Sequence, residues 1–177
     1  MVLDETPFEG LKLLRNFVSH DRRGTFIKTF NKSQFQQAGL NTDWQESYYS
    51  VSEQHVVRGM HFQLPPHDHE KLVYVTAGHI LDVVVDLRCT STTYGRTFAT
   101  ALAEHENALF IPRGFAHGFL ALTSGATVVY CVGTGYQPTA DAGIRWDSLG
   151  YEWPVADPIL SDRDAAFPTL AEFSSPF

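Results

Sequence analysis

A histidine and a lysine stand in neighbouring apolar segments of the sequence. His61 precedes and Lys71 follows Pro65-Pro66, which predicts a turn because paired prolines can neither extend a helix nor donate to a sheet. Two paired strands are therefore expected, and alternation puts His61 and Gln63 on the same face as Val57. Imidazole has an ordinary pKa suited to proton transfer near neutral pH, and lysine supplies a positive charge.

Such polar groups are costly on an apolar face unless they are used or partnered. The structural alternative is a hydrogen-bonded histidine at the mouth of a barrel, beside a lysine whose stem covers apolar surface. The rest of the chain has to decide between these two interpretations.

A further histidine-containing motif follows in Ile111-Pro112-Arg113-Gly114-Phe115-Ala116-His117. Its pattern, Pro-x-Gly-x-x-His, makes a sharp turn and resembles the second motif of the cupin jelly-roll superfamily. Metal-binding cupins carry a His-x-His and a Glu in their first motif. His67 and His69 have that spacing, although no carboxylate stands where the motif needs one. A metal-binding or non-catalytic sugar-binding cupin that uses His67, His69 and His117 is therefore the alternative to a metal-free enzyme.

Short strand-like segments dominate the chain, separated by turns such as Ala77-Gly78 and Thr123-Ser124-Gly125. Strands are predicted at residues 56–64, 71–76, 79–87, 96–102, 108–111, 117–122 and 127–132. Helical signals are confined to a short segment within residues 31–43 and to the C-terminal region. This pattern predicts an all-β jelly roll of the cupin type, wrapped by a short helical or irregular C-terminal segment, with residues 1–177 forming a single domain.

Charge and hydropathy argue against two classes of partner. The formal net charge of -7 argues against a nucleic-acid surface, which needs clustered Lys and Arg. A small phosphorylated ligand needs only two or three arginines. No apolar run approaches the roughly 18 residues of a membrane span, and the N-terminal residues are acidic where a signal peptide needs basic ones. A soluble, cytoplasmic protein without a membrane partner is expected.

Several segments occur in an order that resembles one enzyme family. They are Arg58-Gly59-Met60-His61-Phe62-Gln63, Lys71-Leu72-Val73, Asp82-Val83-Val84-Val85-Asp86-Leu87-Arg88, Ser91-x-Thr93-Tyr94-Gly95, residues 112–119 and Leu160-Ser161-x-x-Asp164. Together, between residues 21 and 168, they resemble the dTDP-4-dehydrorhamnose 3,5-epimerase family of nucleotide-sugar epimerases. The resemblance implies inversion of stereocentres beside the C4 ketone of a nucleotide-linked 4-keto-6-deoxy hexose, without a cofactor.

The resemblance also implies roles for individual side chains. His61 would be the base, with Asp164 orienting it and balancing its charge. Lys71 would stabilise the enolate oxygen, and Tyr130 would be the acid on the opposite face of the sugar. Tyr136 would lie near the sugar and influence which carbons are processed. The structural alternatives are a buried, hydrogen-bonded Tyr130 and an Asp164 that caps a helical turn.

Substrate contacts are implied outside this catalytic group as well. Arg23 and Arg58 would bind the diphosphate. Because strict alternation puts Arg58 on the face opposite His61, a β-bulge is predicted at Gly59. Further contacts are expected from Gln63, His117 and Asp141, the last of which replaces a glutamate usual in the family.

Three residues depart from the family where it reads thymine. Lys28 replaces a glutamate, and Glu46 and Tyr48 replace the two amides of a Gln-x-Asn. An amide offers a base both a donor and an acceptor, whereas a carboxylate only accepts and a phenol has a single hydroxyl. A nucleotide other than dTDP, with GDP or CDP ahead, is therefore predicted. In this family the Arg23 segment is a strand lent to the partner's site, so a homodimer with strand exchange is expected.

Overall fold

The computed structural model describes residues 2–177, and antiparallel strands dominate them. The strands are β1 (Val2–Glu5), β2 (Lys12–Arg15), β3 (Phe17–Asp21), β4 (Gly24–Lys28), β5 (Glu46–Ser52), β6 (Val57–Gln63), β7 (Lys71–Ala77), β8 (His79–Asp86), β9 (Thr97–Ala103), β10 (Asn107–Ile111), β11 (Phe115–Ala121), β12 (Ala126–Val132) and β13 (Asp141–Gly143). Helices are short: α1 (Lys32–Gln37), α2 (Asp162–Ala165) and 3-10 turns at Trp146–Ser148 and Leu170–Glu172. Across residues 2–177, no helix is long and apolar enough to span a membrane.

Two large sheets face each other across an apolar core. One has six strands in the order β1-β2-β10-β7-β12-β5, and the other has five in the order β13-β6-β11-β8-β9. Alternation along the strands sends Val73, Val84, Phe119 and Val128 into the space between the sheets. Helix α1 covers part of the outer face of the first sheet, and the C-terminal segment covers the second. The prediction of an all-β, cupin-like jelly roll is confirmed.

The predicted pairing of the two strands around Pro65-Pro66 is wrong. Strand β6 lies between β13 and β11 in the five-stranded sheet, whereas β7 lies between β10 and β12 in the six-stranded sheet. The prolines therefore carry the chain from one sheet to the other, and His61 and Lys71 face each other across the sandwich. Local sequence signals identified both strands without revealing which strands become neighbours.

The shared face predicted for Val57 and His61 is also wrong, because β6 contains a bulge. Along β6, His61 pairs with His117 and Arg58 pairs with Phe119, so β6 has one residue more than β11 between these pairs. The bulge predicted at Gly59 is thus confirmed, and it turns Arg58 and His61 toward one cavity while Val57 packs outward.

Gly59 is required at this bulge. Its φ is 130°, in a region that side chains disfavour, and a Cβ there would lie 2.5 Å from the Cα of Gly118. The close approach of two backbones therefore fixes how β6 meets β11 at the base of the cavity.

The β3–β4 hairpin forms a two-stranded sheet of its own, separate from both large sheets. Phe17 and Phe26 on this hairpin are 49% and 60% exposed. The register of the hairpin puts both rings on one face, and an exposed apolar patch of this kind marks a surface that contacts another molecule.

Candidate active site

A cavity opens between the two sheets near the ends of β6 and β7. Its outer part, about 400 Å³, is lined by Glu46, Tyr48, His61, Phe62, Gln63, His69, Lys71, Val132, Thr134, Tyr136, Asp141 and Arg163. Its inner part, about 200 Å³, is lined by Tyr48, Ser50, Arg58, His61, Lys71, His117, Gly118 and Tyr130. Tyr48, His61 and Lys71 line both parts. Most of the sequence-predicted site residues therefore share one cavity.

His61 and Asp164 form a hydrogen-bonded pair at the cavity wall. The Nε2 of His61 lies 2.8 Å from Oδ1 of Asp164, and the backbone N–H of Gly59 donates to Oδ2 at 3.0 Å. Burial alone would raise the pKa of Asp164, but the hydrogen bonds from His61 and Gly59 bring it below its usual value. An ionised Asp164 that accepts from Nε2 leaves Nδ1 as the ring nitrogen that can take a proton.

Asp164 is placed there by the start of α2. Ser161 is the N-cap of that helix, and its hydroxyl accepts the backbone N–H of Asp164 at 3.1 Å. The capping role considered for Asp164 thus belongs to Ser161. Asp164 itself is buried and points at His61.

Lys71 begins β7 and is buried at the cavity. Its Nζ donates to the backbone oxygen of His61 at 3.1 Å. Burial lowers the pKa of Lys71 to about 8, although the negative charges of Asp82 and Asp141 oppose this shift. The ammonium can therefore lose its proton at mildly alkaline pH.

Tyr130 on β12 lines the inner cavity, on the same face of the strand as Val128 and Val132. Its ring makes an edge contact with His117 at 6.0 Å and stacks on Tyr48 at 5.0 Å. Burial, reinforced by the charge of Asp82, raises the pKa of Tyr130. The phenol is thus protonated in the resting site and can donate a proton.

A second histidine–carboxylate pair lies beside the first. The Nε2 of His117 is 2.8 Å from Oδ2 of Asp82, and both side chains are buried. Burial lowers the pKa of His117, although Asp82 opposes that shift. Sequence reasoning missed Asp82 as a site residue, although its parity with Ile80 and Val84 on β8 already placed it on the inner face.

The mouth of the cavity is held by a chain of contacts around Tyr136. Its backbone N–H donates to Oε1 of Glu46 at 2.9 Å, and its hydroxyl donates to Oδ2 of Asp141 at 3.1 Å. Asp141 also pairs with Arg163 at 2.9 Å. Sequence reasoning missed Arg163, whose only signal was its position beside Asp164.

Gln63 and His69 are engaged with neighbouring groups at the cavity wall. The amide of Gln63 donates to the backbone oxygen of His67 at 2.9 Å and lies 3.2 Å from Nδ1 of His69, while its carbonyl accepts from the N–H of Gln137. Burial lowers the pKa of His69 to about 4. Among residues 2–177, no group of three or more His, Cys, Asp or Glu side chains has the geometry of a metal site. The alternative set of His67, His69 and His117 is therefore not brought together.

The arginines expected at the diphosphate lie in different places. Arg58 lines the inner cavity and donates to Ser52 Oγ at 3.0 Å. Arg23 lies on the β3–β4 hairpin, where it pairs with Asp21, and Lys28 lies on the same hairpin. Neither Arg23 nor Lys28 lines the cavity of its own chain.

The family model for dTDP-4-dehydrorhamnose 3,5-epimerase matches residues 5–172. The chain belongs to this epimerase family. The dTDP-4-dehydrorhamnose 3,5-epimerase of Methanothermobacter thermautotrophicus is 41% identical over 174 residues, covering 95% of this chain and 94% of that protein. The predicted family, and with it the isomerase class, are confirmed.

Solved structures from epimerases of this kind superpose closely. The Bacillus anthracis dTDP-4-dehydrorhamnose 3,5-epimerase, crystallised with TDP and PPi bound, has a TM-score of 0.92 and 37% identity, covering 96% of this chain and 99% of that one. NovW of Streptomyces spheroides, a 4-keto-6-deoxy sugar epimerase from the novobiocin gene cluster, has a TM-score of 0.93 and 34% identity, covering 97% and 88%.

Proposed function

We propose that this member of the family epimerises C3, C5 or both in a nucleotide-linked 4-keto-6-deoxy hexose by proton transfer through an enolate. The observation that carries the proposal is the inner cavity, where His61, Lys71 and Tyr130 line one space. That space offers a base, a positive charge and a protonated phenol, which are the three groups that inversion beside a ketone requires.

The first step is removal of the proton on the carbon beside the C4 ketone. Nδ1 of His61 takes this proton, and the C–H electron pair moves into the carbonyl to give an enolate. Asp164 supports the step because its carboxylate stabilises the imidazolium that forms. The backbone N–H of Gly59 keeps Asp164 ionised and oriented.

The second requirement is to stabilise the negative charge on the enolate oxygen. Lys71 supplies an ammonium ion in a buried position, where its interaction with a developing charge is stronger than in water. The pKa of about 8 leaves Lys71 mostly protonated at neutral pH.

The last step returns a proton to the opposite face of the same carbon. The Tyr130 hydroxyl gives up its proton, the enolate electrons re-form the C–H bond, and the stereocentre is inverted. His61 and Tyr130 then regain their starting protonation states by exchange with water. The proposed reaction involves no metal ion and no redox cofactor.

The substrate site is proposed to be completed by a second copy of the chain. The β3–β4 hairpin carries Arg23 and Lys28 away from the cavity of its own chain and exposes Phe17 and Phe26. An exchanged hairpin would cover these rings and bring Arg23 to the diphosphate beside the partner's cavity.

Heavy water tests the proposed chemistry directly. The protein is incubated in D₂O with dTDP-4-keto-6-deoxyglucose and with matching UDP, GDP and CDP sugars, and deuterium at C3 and C5 is followed by NMR. Exchange and inversion are expected with at least one of them, and a matched His61→Ala variant should exchange none. Absence of deuterium at both carbons with every sugar would contradict the proposed function.

A further inference from the structure

Strand β5 places an aromatic ring directly opposite the proposed acid. Tyr48 pairs with Tyr130 in the register of β5 and β12, and their rings stack with centroids 5.0 Å apart at an angle of 22°. Residues directly opposite in antiparallel strands are the nearest cross-strand neighbours, so this contact is fixed by the sheet itself.

The two tyrosines differ in their access to solvent. Tyr48 is 46% exposed, whereas Tyr130 is 9% exposed. Tyr48 lines both the outer and the inner cavity, while Tyr130 lines only the inner one. Tyr48 therefore covers the Tyr130 ring on the side from which substrate and water enter.

Tyr48 and Glu46, the two replacements of the family's amides, each contact a tyrosine of the site. One face of the Tyr48 ring lies against Tyr130, and one carboxylate oxygen of Glu46 accepts the backbone N–H of Tyr136. A carboxylate has two oxygens, so Glu46 can still accept from a nucleobase.

We propose that Tyr48 is a positioning residue that holds the Tyr130 phenol in place for proton delivery to the enolate. This inference rests on the function proposed above. A phenol turns about two side-chain torsions, and small errors in the placement of a reacting group reduce its rate strongly. The Tyr48 ring removes that freedom by covering one face of Tyr130.

The kinetic test separates proton removal from proton return. Tyr48→Phe keeps the ring, whereas Tyr48→Asn and Tyr48→Val remove it, and the valine retains strand propensity. The ratio of inversion to deuterium exchange is measured in D₂O for each variant. This ratio should fall at least about tenfold in both variants without the ring and stay within about threefold of the wild-type value in Tyr48→Phe.

Equal loss of exchange and inversion in the variants without the ring, or an unchanged ratio, would overturn the inference. So would a higher KM as the only effect, because that is the result expected of a residue that merely binds the nucleotide.

A second measurement needs no substrate. Tyrosine labelled with ¹³C at Cζ is titrated by NMR, with Tyr130 assigned from Tyr130→Phe. Burial first, then Asp82 and Tyr48, raise the pKa of Tyr130 above its ordinary value of 10.0. We expect Tyr130 to titrate at a lower pH in the two variants without the ring than in the wild type and Tyr48→Phe, because removal of the ring admits water to the phenol.

A Tyr130 that titrates no earlier in either variant without the ring than in the wild type would overturn the positioning role. If the wild type instead fails to exchange every sugar tested, the proposed function is wrong, and the titration still decides whether Tyr48 holds Tyr130.

Discussion

Asp164 accepts a hydrogen bond from His61 across 103 positions of the sequence, at 2.8 Å. The carboxylate comes from the C-terminal segment and the imidazole from the bulged strand β6. The proposed base is therefore paired with its carboxylate only when the C-terminal segment is docked on the five-stranded sheet.

Asp164→Asn should reduce deuterium exchange by about 10²- to 10⁴-fold, because an amide cannot balance the charge of the imidazolium. Ser161→Ala is the matched control, since it removes the helix cap and leaves the carboxylate, and it should reduce exchange less. Equal rates in Asp164→Asn and the wild type would contradict the assigned role.

The carboxylate of Asp164 should also make the stability of the folded protein depend on pH in the acidic range. Because its pKa is lower in the folded protein than its ordinary value of 3.8, Asp164 contributes stability that is complete above pH 3.8 and is lost as pH falls through the lower folded value. The melting temperature should therefore fall less below pH 3.8 in Asp164→Asn than in the wild type. Parallel melting curves for the two proteins would be evidence against this ionic contribution.

Activity should decline as pH rises through about 8, where Lys71 loses its proton. Asp82 raises the pKa of Lys71, so Asp82→Asn should move this decline to lower pH. Lys71→Met should lower kcat by about 10²-fold or more and abolish that limb of the profile. The measurement is kcat/KM against pH, and an unshifted profile in Asp82→Asn would argue against Lys71 as its origin.

Tyr130→Phe should retain deuterium exchange while losing most inversion, because His61 can remove and return a proton on one face without the opposite acid. NMR of the sugar in D₂O gives both rates from one sample. Loss of exchange to the level of His61→Ala would mean that Tyr130 is needed earlier than proposed.

Strand exchange predicts that two defective chains restore each other. A His61→Ala chain keeps Arg23, and an Arg23→Ala chain keeps His61, so a mixed dimer has one complete site. If the chains pair at random, half of the dimers are mixed, so refolding the two variants together should restore about a quarter of all sites. The substrate concentration is kept low so that the incomplete sites stay unoccupied. Activity no greater than that of the separate variants, or the mass of one chain in solution, would contradict exchange.

The nucleotide is predicted to be one other than dTDP, with GDP or CDP ahead. Competition binding with dTDP, UDP, CDP and GDP should show that GDP or CDP binds about tenfold more tightly than dTDP, as expected for one or two altered polar contacts. Lys28→Glu and Glu46→Gln, which restore the residues usual in the family, should shift the preference back. Tighter binding of dTDP by the unmodified protein by about tenfold would make the prediction wrong.

Alternation within a strand was enough to place several site residues. Alternation points Lys71 and Tyr130 inward, as observed, because each lies on a regular strand with buried apolar neighbours of the same parity. It failed for His61 and Val57, where the bulge at Gly59 interrupts the alternation. The conflict between Arg58 and His61 was the sequence signal that revealed this bulge.

Local sequence patterns could not predict which residues on distant strands contact each other. The pairing of Tyr48 with Tyr130 depends on which strands become neighbours and in which register, and a short apolar segment fits many partners. Asp82 was missed for a related reason, since its importance comes from His117 on the next strand of the sheet.

The contact between Gly59 and Gly118 also limits how the enzyme could be re-engineered. A Cβ on Gly59 would lie 2.5 Å from the Cα of Gly118, and a Cβ on Gly118 would lie 2.6 Å from the backbone oxygen of Arg58. Neither position can accept a larger residue alone, and changing both would worsen the collision. A directed-evolution library aimed at new sugars should therefore diversify Glu46, Tyr136 and Asp141 at the rim and leave this pair untouched.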